Sequence, residues 1–161
     1  LLNPADFINR IIPYLQSAGV ISKEVTSTEQ EILVKAAPLI QERIVVLSES
    51  VSMLDFLFKN SADIVIEDDA KAGLPEDSKA ICEAALQVLE EIESSAFFTA
   101  TIQEALNKKL IEEMGQKPRN AFGPLRTAIS GKRISPPLFE SMEILGKEQT
   151  LARIKSFAQA L

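Results

Sequence analysis

Two arginines seven residues apart, Arg119 and Arg126, are the side chains of this sequence best suited to grip a ligand. On a continuous helix that spacing is nearly two turns, so both project from one face, provided Gly123-Pro124 does not interrupt it. A planar guanidinium makes paired hydrogen bonds to phosphate or a base edge and stacks on an exposed base, so the matching chemistry is nucleic-acid binding. Both lie in the run 117–133, which holds five cations and no anion. Lys117, Arg119, Lys132 and Arg133 are its expected phosphate contacts. Just beyond it, Ser135-Pro136-Pro137-Leu138 reads as a helix start, with Ser135 as cap and two prolines in a first turn where their missing N–H groups cost little. Such a rigid end can hydrogen-bond an unstacked nucleotide, with Leu138 adding apolar contact to the base.

The charge around these residues is segregated. Residues 1–114 carry nine Lys or Arg against twenty Asp or Glu, a net −11, and residues 115–161 carry eight against three, a net +5. A positive patch on an acidic body draws phosphate to one place and repels it elsewhere. Other chemistries are excluded by composition. With no His there is no Ser-His-Asp triad, no Cys/His zinc site and no imidazole for proton transfer near neutral pH. Cys82, the single cysteine, sits in an apolar helical pattern and is expected to be a buried, inert thiol. Asp68-Asp69 and Glu90-Glu91 are neighbours in sequence, about 100° apart on a helix, and read as solvated acids rather than a catalytic pair. Ser130-Gly131-Lys132 lacks the strand and glycine spacing of a phosphate loop and reads as a glycine-terminated helix.

Helices must position these groups. Asn3-Pro4 with Asp6 opens a first helix and Gly19 stops it; Thr28 with Glu31 has capping-box spacing for a second, bent at Pro38, near whose end Arg43 stands. Ser48 leads a third over 49–59. Ile64-Val65-Ile66 has strand composition, but the surrounding Glu67-Asp68-Asp69 and Gly73-Leu74-Pro75 make the stretch a connector between two lobes, divided as 1–70 and 71–161. Helices over 76–93 and 101–114 follow, the latter ended by Gly115. After the basic segment come a short helix closed at Gly146 and a last one with Leu151, Ile154, Ala158 and Leu161 on a stripe. The expectation is an all-α, two-lobed bundle without a sizeable sheet. At 161 residues and 46% apolar composition the chain can fill a core, and it has no apolar run long enough to span a membrane.

The segment 117–133, continuing into Ser135-Pro136-Pro137-Leu138-Phe139-Glu140, Leu145-Gly146-Lys147-Glu148 and Ala152-Arg153-Ile154, resembles the C-terminal anticodon-binding region of bacterial glutamyl-tRNA synthetases. The resemblance covers the whole chain and is most specific from residue 117 to 154. It implies that Arg126, in the motif Pro124-Leu125-Arg126, faces the anticodon. It implies that Ser135, Pro136 and Leu138 read anticodon bases, with Ser where some members have Thr, and that Arg43 faces the first anticodon nucleotide. The partners implied are the anticodon arm of glutamate tRNA and a catalytic domain upstream in the same polypeptide, which uses ATP and Mg²⁺. That domain's signature residues are absent, so the chain itself is expected to be non-catalytic and without a cofactor or metal. A first residue Leu rather than Met fits a fragment, and the expected compartment is the cytoplasm. The alternative is an acidic helical adaptor that binds another protein through an apolar groove, which would leave the segregated cations unexplained.

Overall fold

The computed structural model describes residues 2–161, and every regular element among them is helical. The chain divides into two compact units, residues 1–59 and 60–161.

The first unit is built on α1 (Pro4–Ser17), α2 (Ser27–Ile40) and α3 (Glu49–Leu54), the last continuing as a 3₁₀ turn over Asp55–Leu57. Asn3 caps α1 as expected, its Oδ1 accepting the Asp6 N–H at 2.9 Å, and Gly19 ends it in the left-handed region at φ 74°. The capping box of α2 lies two residues earlier than the spacing of Thr28 and Glu31 indicates. Thr26 is the cap: its hydroxyl accepts the Glu29 N–H at 3.1 Å while the Glu29 carboxylate accepts the Thr26 N–H at 2.9 Å. Thr28 cannot play that part because it is already inside the helix. Ser48 makes no side-chain cap either; the Glu49 carboxylate reaches back instead, accepting the Val46 N–H at 3.0 Å. Phe7, Ile11, Leu15, Leu33, Ile40, Leu54 and Phe56 fill the core.

The second unit contains α4 (Asp68–Ala72), α5 (Ser78–Glu90), α6 (Thr99–Leu106), α7 (Pro118–Ser130) and α8 (Leu138–Gln159). Helix α8 packs on α5, α6 and α7. It is broken at Gly146, where φ 83° and ψ 166° leave the helical region, so the short helix and the last helix read from the sequence are both present. Beyond α6 the chain widens into a π-helix over Asn107–Glu113, and Gly115, at φ 68°, closes it. Ile64-Val65-Ile66 forms no strand. Residues 60–70, read with the first lobe, make their contacts inside the second unit: the Glu67 N–H donates to the Gly131 carbonyl at 2.8 Å, and Ser61 Oγ receives Arg153 Nε at 3.1 Å. Cys82 is fully buried, and burial, with Glu83 nearby, pushes its thiol up to about 12, so it is inert at neutral pH. Among the described residues no helix is long and apolar enough to cross a membrane.

Candidate nucleic-acid interface

Helix α7 carries the arginines. Lys117 precedes it in extended conformation, Pro118 opens it where no amide hydrogen is needed, and it runs unbroken through Gly123-Pro124 to Gly131, whose φ of 78° ends it. Continuity keeps Arg119 and Arg126 on one face, as the spacing of seven requires. Both line a cleft of about 460 Å³ together with Arg133, which lies a further seven residues along, past the end of the helix. Phe122, Gly123 and Thr127 form the α7 side of this cleft, and Ala70, Gly73 and Leu74, from α4 and the turn after it, form the other. Three guanidinium groups around an open cleft in an acidic chain form a site for an anion with planar groups.

Arg126 has a second role that its spacing does not reveal. Its Nη1 donates to the Ser135 carbonyl at 3.1 Å, the Ser135 hydroxyl at 2.8 Å and the Pro136 carbonyl at 2.8 Å. The half-buried guanidinium therefore clamps the loop between α7 and α8. Each residue that precedes a proline is pushed to extended backbone, which holds Ser135 and Pro136 out of the helix, and α8 starts only at Leu138 with Pro137 at the cap position. This corrects the reading of Ser135 as the helix cap: its side chain is buried, 5% exposed, and serves Arg126. Leu138 is likewise 4% exposed, so its side chain belongs to the core beneath the loop. The Ser130 hydroxyl secures the loop's other end, donating to the Arg126 carbonyl at 2.7 Å and accepting the Lys132 N–H at 3.1 Å. Phe122 and Phe139 pack edge to face at 5.2 Å and bind the start of α8 to α7.

The structure thus brings Arg119, Arg126, Arg133, Ser135 and Pro136 into one neighbourhood, with Lys132 on the same loop. Lys117 is exposed at the start of α7. Arg43 belongs to the other unit, exposed in the turn just past the end of α2, where its N–H donates to the Ile40 carbonyl at 2.8 Å.

Two residues support this site through contacts that the sequence does not reveal. Arg153 is 2% exposed, and burial lowers its guanidinium to about 10. Nη1 donates to the Ile129 carbonyl at 2.7 Å and Nε to Ser61, so it ties the end of α7 to the segment that opens the second unit. Its flanking apolar residues gave a stripe but no hint that the cation between them points inward. Gly131 is the other: a β-carbon there would lie 2.1 Å from the Val65 carbonyl oxygen, so only glycine admits the close approach. Among the described residues no three His, Cys, Asp or Glu side chains gather where a metal ion could be held.

Comparison with known proteins finds relatives along nearly the whole chain. The family described as the anticodon binding domain matches residues 6–158. A glutamate–tRNA ligase of Arthrobacter sp. (strain FB24) is 50% identical over 157 residues, which cover 98% of this chain and 31% of that protein. One from Leifsonia xyli subsp. xyli is 48% identical over 161 residues, covering all of this chain and 33% of that protein. The chain therefore spans about a third of the length of these curated relatives. In a crystal structure of a glutamate tRNA ligase from Elizabethkingia meningosepticum, 20% identical, the same fold recurs with a TM-score of 0.78 over 99% of this chain and 30% of that one.

Proposed function

This chain belongs to the anticodon binding domain family, and from that premise we propose that it recognises the anticodon arm of glutamate tRNA as part of a glutamate–tRNA ligase. The observation that carries this reading is the convergence of Arg119, Arg126 and Arg133 on one open cleft in a chain of net charge −6. Attachment of glutamate to tRNA with ATP and Mg²⁺ is the task of a catalytic part of the polypeptide outside this chain, in the cytoplasm where tRNA is charged. The chain's own residues bind, orient and discriminate.

Each unit carries candidate contacts of its own. In the first, Arg43, exposed on a turn with its backbone already bonded, presents a guanidinium to the first anticodon nucleotide. In the second, Arg126 occupies the Ser135 and Pro136 carbonyls and the two prolines carry no N–H, so the clamped loop contributes its fixed shape and the N–H of Leu138 just beyond it. The start of α8 at Leu138 adds a helix N-terminus, here through its backbone because its side chain is buried. Arg126 both holds this loop and lines the cleft, so the shape that accepts a base and the group that meets it are set by one side chain. Lys117, Arg119, Lys132 and Arg133 neutralise phosphates, which contributes affinity without sequence information, whereas a paired arginine contact to a base edge discriminates by about 1–3 kcal/mol.

The test is charging of matched and anticodon-substituted glutamate tRNA by variants of the full-length ligase. Arg43→Ala and Arg126→Lys are expected to shrink the penalty for substituted anticodons by about tenfold, since lysine keeps the charge but not the fork. Lys132→Ala weakens matched and substituted tRNA alike. Unchanged penalties in both arginine variants would place anticodon reading elsewhere.

A further inference from the structure

Two large apolar side chains of the second unit stand out in water, one of them next in sequence to Arg133 of the cleft. Ile134 is 78% exposed and Val65 is 75% exposed. Single exposed hydrophobes are ordinary on a protein surface, but these two lie on chain segments that touch: the Val65 carbonyl meets Gly131 and the Gly131 carbonyl accepts the Glu67 N–H at 2.8 Å. Ile134 stands three residues beyond that junction.

The loop that displays Ile134 does not yield. Gly131 fixes one end, through its φ of 78° and its contact with Val65, and Arg126 holds Ser135 and Pro136 at the other. Collapse of Ile134 into the core is thereby prevented, and its side chain is presented to solvent at no further ordering cost on binding. Its sequence neighbours are Lys132 and Arg133, the latter lining the cleft. An occupant that suits an apolar tip flanked by cations must combine an apolar face with negative charge. An unstacked nucleotide joins the two in one unit, a base face beside its own phosphate, and the proposed RNA partner supplies it.

We propose that Ile134, with Val65 beside the same junction, forms an apolar ledge that supports the face of an unpaired anticodon-loop nucleotide while Lys132 and Arg133 meet its flanking phosphates; this rests on the reading of the chain as an RNA-binding module. The segment that opens the second unit thereby becomes part of the RNA surface. Leu138, the apolar residue named by sequence, is buried, and Ile134 takes the exposed place.

The test is equilibrium binding of this chain, over a range of salt, to glutamate-tRNA anticodon stem–loop transcripts carrying 2-aminopurine at each loop position in turn. The variants are Ile134→Ser, Ile134→Met, Val65→Ser and Lys132→Ala. Both apolar positions are exposed, so the serine variants should melt as the unaltered chain does. Ile134→Ser is expected to weaken binding about fivefold with the salt slope unchanged, and to abolish the fluorescence change at one loop position; Ile134→Met restores both. Val65→Ser has the same signature with a smaller effect. Lys132→Ala lowers the slope by about 1. If the serine variants bind like the unaltered chain, or lower the salt slope, the ledge is refuted while the RNA reading stands. If the unaltered chain binds no transcript, that reading fails and the ledge with it.

Discussion

Arg126 holds a loop and lines the cleft with one side chain. Three acceptors surround its Nη1, two of them backbone carbonyls of a loop that prolines hold extended, and hydrogen bonds to a charged group are each worth about 1.5–3 kcal/mol. Its place beside Arg119 on one face of α7 was legible from a spacing of seven, but its grip on Ser135 was not, because a helix-cap reading of Ser135 satisfies the same local rules. Glu29 is a comparable case in the first unit. Burial raises its carboxyl, but N–H and hydroxyl groups of Thr26 and Ser22 outweigh that and hold it below the ordinary value of 4.5. A depressed carboxyl stabilises the fold above the unfolded value and loses that contribution as pH falls through the folded one. The first unit is therefore expected to lose stability below about pH 4.5, and Glu29→Gln to be less stable at neutral pH, with a flatter acid limb. Tyr14, the only tyrosine in a chain without tryptophan, reports this unit's urea unfolding by its fluorescence. An unchanged acid limb in the variant would show that Glu29 does not contribute to it.

Helices were readable because their apolar residues recur at helical period and their ends carry Asn-Pro, Gly or Pro. What periodicity could not supply was the contact between elements. The end of α7, the junction at Gly131 and the segment 60–67 act as one piece, joined by a backbone hydrogen bond, by a close approach that excludes a β-carbon, and by Arg153 spanning Ser61 and Ile129. Residues 63–75 read as a connector because nothing in their sequence names the distant glycine that receives Glu67. Gly131 and Gly115 provide a controlled comparison of this junction. Both have positive φ, so alanine at either carries the backbone penalty of about 1–2 kcal/mol. At Gly115 nothing lies within 4 Å of the added carbon, whereas at Gly131 it would strike the Val65 carbonyl. Thermal unfolding should show Gly131→Ala to be the more destabilising by at least about 2 kcal/mol, with the segment 60–67 displaced. Equal losses at the two glycines would mean that the junction is loose.

At the scale of the whole chain, charge is segregated, net −11 over residues 1–114 and +5 over residues 115–161, and in the proposed reading this confines RNA to the positive segment. The all-α class and the membership in an anticodon-binding family were legible, since both follow from helical punctuation and from motifs concentrated between residues 117 and 154. The division of the chain at Lys59 and Asn60, by contrast, depends on which surfaces residues 60–70 cover. The central claim is that this chain reads anticodon bases rather than merely attracting polyanions. Its most direct test is equilibrium binding of the chain to glutamate-tRNA transcripts with the matched anticodon and with each anticodon base substituted in turn, at several salt concentrations. Affinity is expected to fall with added salt for every transcript, with a preference of about tenfold or more for the matched anticodon that persists as salt rises. Equal affinity for all anticodons would contradict it.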